Sequence, residues 1–348
     1  MKQALLWLYL LVGIAGPLQA DDRPNRPAPV PGAGFSFALI GDLPYGDEQV
    51  VRFERLIDEI NRDPRVRFVL HAGDVKGGGE SCDDERIEAR FAQFQRFNRA
   101  FILTPGDNDW TDCHRVSNGS YYPLERLDFL RRTFFPDPDR STGRHPIPVI
   151  SQARMSGFEP FVENVMFSRG GVVFGTLHVV GSNNDLAPWT GFDPADSVDL
   201  PRPDRIAEFE YRRDAALAWL DALFAKADTE NAKGIFLTMQ ANPRFDLAAD
   251  DPDRQGFQAI IDHLHELSAD FDKPVVLAHG DFHEYLVDKP FDTGGDDGLA
   301  NLTRIQTFGS PRVNWVKVHV VPNSPALFVF EQKIIDHETP DSAKENKR

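Results

Sequence analysis

The chain has 348 residues, 41% hydrophobic and 26% charged, a globular composition that excludes a disordered polymer. Its 54 acidic residues outweigh 38 Lys and Arg, giving a formal charge of −16. Such a surface repels nucleic acid and anionic membranes, so neither is expected as a partner. Two cysteines are too few for a disulfide framework or a four-thiolate zinc site.

Residues 1–20 carry one positive charge at Lys2, an apolar run from Ala4 to Ala15, and small or apolar Leu18 and Ala20 before Asp21. This pattern predicts a cleaved signal peptide, export to a periplasm or the medium, and no stable membrane insertion of the mature chain. An uncleaved N-terminal anchor is the alternative. Export makes Cys82 and Cys113 one disulfide, closing a loop of about 30 residues worth about 3 kcal/mol; in a reducing compartment they would be two buried thiols.

Residues 21–34 read as a Pro-rich leader and 336–348 as a polar tail, leaving one domain over 35–335. Phe35–Ile40 reads as a strand. Asp47–Asn61 has helical spacing, with Val50, Val51, Phe53, Leu56, Ile57 and Ile60 along one side. Strand Val66–Leu70, helix Glu85–Asn98 and strand Ala100–Leu103 follow, an alternation that predicts a parallel sheet with right-handed crossovers. A less regular middle contains strand-like Val165–Phe167 and Val172–Val180. Then come a long helix near Pro203–Ala227, strand Gly234–Met239, helix Arg254–Ala269 and strand Pro274–Leu277. Strands Thr303–Phe308, Trp315–Val321 and Ala326–Ile334 close the chain. The simplest account is α/β, with two sheets or one mixed sheet.

In open parallel sheets, ligands bind beyond the C-terminal ends of the strands. Here four of five such ends carry Gly directly before Asp: Gly41-Asp42, Gly73-Asp74, Gly106-Asp107 and Gly280-Asp281. A fifth ends at Gln240-Ala241-Asn242-Pro243. A lone Gly-Asp is ordinarily a turn or helix cap. Four converging carboxylates would repel and raise one another's pKa values, a conflict that a cation resolves. The cluster therefore predicts a bound metal.

The order Asp42, Gly73-Asp74, Gly106-Asp107-Asn108-Asp109, a polar residue before a Pro, and Gly280-Asp281-Phe282-His283 resembles the calcineurin-like metallophosphoesterases. Their pattern is DxH, GD, GNH(D/E), a lone His, and GHxH, and the likeness spans about Phe35 to Tyr285. The resemblance implies a four-layer α/β/β/α sandwich of two mixed sheets that hydrolyses phosphate esters of small substrates at a two-metal centre. It implies Asp42 and His283 on one cation, Asp74 bridging, and Asp107, Gln240 and Asp281 on the other, with Asn242 an alternative to Gln240. The departures are large: Pro44 stands at the DxH His, Asn108 at the GNH His, Gln240 at the lone His, and Asp281 at the first His of GHxH. Oxygen-rich ligands favour Mn²⁺, Mg²⁺ or Ca²⁺ over Zn²⁺, with Fe left open.

Asn108 is the expected donor to a phosphate oxygen, Asp109 an orienting neighbour, and His114 the expected substitute for the missing acid, with Arg115 beside it as a further phosphate contact. The competing reading is a catalytically weak or inactive relative that binds one hard cation or a phosphorylated ligand.

Overall fold

The structure, a computed structural model, describes residues 34–292 and 298–335. The expected signal peptide, the leader up to residue 33 and the polar tail lie outside the described residues. Among the described residues, twelve strands form two sheets: β1 Phe35–Ile40, β2 Val66–His71, β3 Ala100–Leu103, β4 Ile150–Ser151, β5 Val165–Arg169, β6 Val172–Thr176, β7 Gly234–Thr238, β8 Val275–His279, β9 Leu286–Asp288, β10 Leu302–Gln306, β11 Trp315–Val320 and β12 Phe328–Lys333. The first sheet has the order β12-β11-β1-β2-β3 and the second β4-β5-β6-β7-β8-β10-β9. Within them, β1, β2 and β3 run parallel, as do β6, β7, β8 and β10.

The alternation in β1 shows why the sheets stack. Phe37 and Leu39 face the second sheet, while Ala38 and Ile40 face helices. Between the sheets, Phe37 meets Phe174 and Phe236 edge-on at 5.4 and 4.9 Å, and Phe68 meets Phe167 at 5.1 Å. Such pairs add about 1 kcal/mol each beyond the area they bury.

Helices α1 Gly46–Arg62, α2 Asp84–Phe94 and α3 Pro123–Phe134 cover the outer face of the first sheet through Phe53, Leu56, Ile57, Phe94, Leu130 and Phe134. The long helix Pro203–Thr229 and helix Gln255–Phe271 cover the second sheet through Leu220, Leu223, Ile260 and Leu264. The expected four-layer sandwich is therefore present.

Local differences have local causes. Val51, placed on the buried side from sequence, is 68% exposed, and Gln49 is buried on that side instead. The strand expected over Val172–Val180 ends at Thr176, because Leu177 and Val179 turn toward the site loops. The stretch read as irregular contains α3, which begins at Pro123, a residue suited to the first helical turn.

Cys82 and Cys113 are joined by a disulfide across a sequence separation of 31. It ties the segment after β2 to the loop after β3, and both sulfurs lie 3.8 Å from the Asn108 carbonyl. Replacing both cysteines by Ser is expected to lower unfolding stability by about 3 kcal/mol. Urea unfolding of the two proteins side by side measures this, and equal midpoints would refute it.

Candidate metal centre

Both sheets send the C-terminal ends of their parallel strands to one edge. There β1 delivers Asp42, β2 delivers Asp74, β3 delivers Asp107 and Asn108, β7 delivers Gln240, and β8 delivers Asp281 and His283. Asp42, Asp74, Asp281 and His283 all have left-handed backbone, with φ of 54, 60, 78 and 56°. Asp tolerates that region better than most residues, and the conformation turns each side chain back toward the seam. Glycine is required beside them because a Cβ at Gly106 would collide with Asp74 and one at Gly280 with Asp42.

Hydrogen bonds across the seam then join the sheets. Asp42 accepts from the Asp281 N–H at 2.8 Å and the Thr307 hydroxyl at 3.1 Å, and His283 Nε2 lies 3.6 Å from it. Asp74 Oδ2 accepts from the Tyr45 hydroxyl at 2.9 Å, Asn108 Nδ2 at 2.8 Å and Gln240 Nε2 at 3.3 Å. Asp107 Oδ1 accepts from Gln240 Nε2 at 3.2 Å and from the Asn108 N–H at 3.0 Å. Asp281 Oδ2 accepts from the Asn242 N–H at 3.1 Å.

Burial pushes the carboxyls of Asp74, Asp107 and Asp281 above their ordinary range, and neighbouring carboxylates add to the shift. Asp112, pushed to about 7 by burial and Asp107, belongs to the same cluster. The Ser182 hydroxyl is 2.9 Å from both Asp107 and Asp112 but has one proton to donate, so one of the two acids must carry its own proton or face a cation. His283 is desolvated, which lowers its pKa, but Asp42 outweighs this and leaves it raised.

The structure brings together Asp42, Asp74, Asp107, Asn108, Gln240, Asp281 and His283. Asn242 joins through its backbone, while its side chain bonds Gln306. Asn108 commits its amide protons to Tyr45 and Asp74, so the expected donation to phosphate is not what this geometry provides. Asp109 turns its carboxylate into the backbone, accepting from the N–H groups of Asp74, Val75 and Gly106. His114 does not reach the cluster. Its Nδ1 accepts from Gly191 N–H at 3.2 Å, and burial lowers it to about 4.

Arg115 does reach the cluster, bonding Asp112 at 2.7 Å with its side chain 44% exposed at the rim. The 3-10 turn Thr111–His114 places the two neighbours on different faces, which spacing alone does not reveal.

Sequence reasoning also missed Lys76, Asp112 and Ser182. Lys76 is fully buried beside Asp109, Asp74, Asp112 and Glu80, a positive charge that its place two residues after Gly73-Asp74 could have flagged. Ser182 opens a left-handed turn through Asp185, with φ of 52, 54, 54 and 68°, for which the run Asn183-Asn184-Asp185 is the local signal.

Among the described residues, no three His, Cys, Asp or Glu side chains converge in metal-holding geometry. A pair of carboxylates with water completing the shell also suits a hard cation, and Asp42 and Asp281 form such a pair, with His283 Nε2 3.6 Å from Asp42. A second cation, as expected from the resemblance, does not fit between Asp74 and Asp107, where the Gln240 amide protons stand.

A two-sheet sandwich with carboxylates gathered at its parallel-strand ends defines a class of hydrolase-like α/β proteins. The calcineurin-like phosphoesterase family model matches residues 35–285, and the chain belongs to that family. Two solved structures are similar. GAP50, the anchor in the inner membrane complex of Plasmodium, has a TM-score of 0.47 at 11% identity, covering 87% of this chain and 89% of that one. Phosphopantetheinyl hydrolase from Mycobacterium tuberculosis has a TM-score of 0.46 at 15% identity, covering 89% and 99%. No curated protein matches the chain in sequence.

A second polar chain supports the β3 loop from below. Trp110 Nε1 donates to His178 Nε2 at 3.1 Å, His178 Nδ1 donates to Glu163 at 2.6 Å, and Arg131 grips Glu163 at 2.6 and 3.0 Å. Burial alone would raise Glu163, but Arg131 and His178 hold it at about 2, against an ordinary 4.5. A depressed carboxyl contributes stability that is complete above the unfolded pKa and lost as pH falls through the folded one. Between about pH 4.5 and 2 this amounts to about 3 kcal/mol. Glu163→Gln is expected to flatten the acid limb of a plot of urea midpoint against pH, and an unchanged limb would refute the assignment.

Proposed function

We propose that the protein is an exported, metal-dependent phosphoesterase acting on small phosphate esters, with residues 35–335 as its catalytic domain. The supporting observation is the gathering of four strand-end carboxylates and His283 beside Arg115, in a chain of the calcineurin-like phosphoesterase family. Asp42, Asp281 and His283 would hold a hard divalent cation, Mg²⁺, Mn²⁺ or Ca²⁺, which supplies Lewis acidity and acidifies a water when bound. Among the described residues no helix is long and apolar enough to cross a membrane.

Substrate binding falls to Arg115. Its guanidinium has five N–H donors, and its contacts with Asp112 and the Gly78 carbonyl leave others for phosphate oxygens. Lys76 lies buried behind the cluster, near Asp109 and Asp74, where burial lowers its pKa and the carboxylates oppose that shift. With His114 turned toward Gly191, the acid expected from the sequence does not stand beside the cluster. Esters with acidic leaving groups are therefore the preferred substrates.

The test is hydrolysis of an aryl phosphate monoester and diester against an alkyl phosphate, with each cation and after EDTA. Metal-dependent turnover favouring aryl esters is expected, with Arg115→Ala losing about 100-fold in kcat/KM. One observation favours the inactive relative: Asp74 is fully engaged by protein donors. Absence of turnover from folded protein with every cation would decide for it.

A further inference from the structure

We propose that this chain has replaced the second cation of its family's centre with hydrogen bonds of its own, leaving a site for one hard cation. This rests on the metal-dependent reading above and concerns the number of ions and the residues that fix it.

A carboxylate offers about four lone-pair positions, and a cation needs some of them. Asp74 receives four protein donors: the Tyr45 hydroxyl, Asn108 Nδ2 and Gln240 Nε2 on Oδ2, and the Asn108 N–H on Oδ1. The oxygens that would bridge two ions are thus engaged. Asp107 receives the Gln240 amide on Oδ1, shares the Asn108 N–H with Asp74, and shares the one Ser182 hydroxyl proton with Asp112.

Gln240 is the key residue because it stands where a lone-pair donor is required and presents protons instead. Its Nε2 reaches both Asp74 and Asp107, at 3.3 and 3.2 Å, so it spans the gap between them. Its Oε1 is held by the Gly181 N–H at 2.7 Å. Flipping the amide would set oxygen against two carboxylates and nitrogen against an N–H, losing all three bonds. The orientation is therefore fixed from both ends, and the amide acts as a neutral bridge.

On the other side of the cluster the balance is reversed. Asp281 accepts one bond, from the Asn242 N–H on Oδ2, and Asp42 accepts two, with His283 Nε2 beside it at 3.6 Å. Asp42 and Asp281 keep lone pairs for a hard cation, with His283 as their neighbour.

The test is Mn²⁺ binding to chelator-treated protein, followed by calorimetry and electron paramagnetic resonance. One ion per chain with the spectrum of an isolated Mn²⁺ is expected. Gln240→His exchanges the amide protons for an imidazole lone pair and is expected to bind a second ion, with a spin-coupled signal. Two ions or a coupled signal in the natural protein would overturn the proposal, and so would no binding. If Gln240→His fails to fold, the natural protein's stoichiometry and spectrum decide alone. One ion without ester hydrolysis would remove the phosphoesterase reading and leave this inference standing; two ions with hydrolysis would do the reverse.

Discussion

Negative charge gathered at the seam between two sheets is the constraint around which the rest of this molecule is arranged. Asp42, Asp74, Asp107 and Asp281 are largely removed from bulk water, and burial, reinforced by adjacent carboxylates, makes Asp74, Asp107 and Asp281 harder to ionise. The fold meets this with donors from several directions: backbone N–H groups at Asp281 and Asn242, hydroxyls at Tyr45, Ser182 and Thr307, and amides at Asn108 and Gln240. The left-handed backbone at four of the site residues, the bare glycines and the disulfide between the loops follow from the same demand. Each holds a polar group where it can share the charge.

This arrangement makes the site part of the scaffold. The hydrogen bonds of Asp42 to Thr307 and Asp281, and of Gln240 to Asp74, cross from one sheet to the other. The apolar layer beneath holds the sheets face to face, while the polar edge fixes their relative register. Chemistry and stability are therefore coupled through the same few side chains, as expected where buried polar networks are either fully satisfied or costly.

Much of this was legible in the sequence because it is periodic or local. The alternation in Phe35–Ile40 and the Gly-Asp pairs at strand ends give direct readings of a sheet and of the edge where ligands bind. The polarity of Gln240 was not legible, because it depends on the N–H of Gly181, 59 residues earlier in the chain. Nor was the choice between His114 and Arg115, adjacent residues that a single 3-10 turn sends to different faces. Ser182 opens a run of left-handed residues that Asn183, Asn184 and Asp185 favour locally, but what its hydroxyl faces is set by distant segments. Tertiary contacts hold it: Asn184 to Arg212, and Asn184 Nδ2 to the Gly256 carbonyl. What sequence conveys poorly here is which way a donor points once distant segments meet.

The path of the chain through the first sheet has a consequence for synthesis. Strand β1 lies between β2, which follows it closely, and β11, whose Val320 pairs with Phe35. The second sheet is built wholly from residues between these two strands. A ribosome must therefore deliver every strand of the second sheet before the central strand of the first sheet gains its second neighbour. Until then β1 presents an unpaired edge, and the nascent chain can complete the inner sheet long before the outer one.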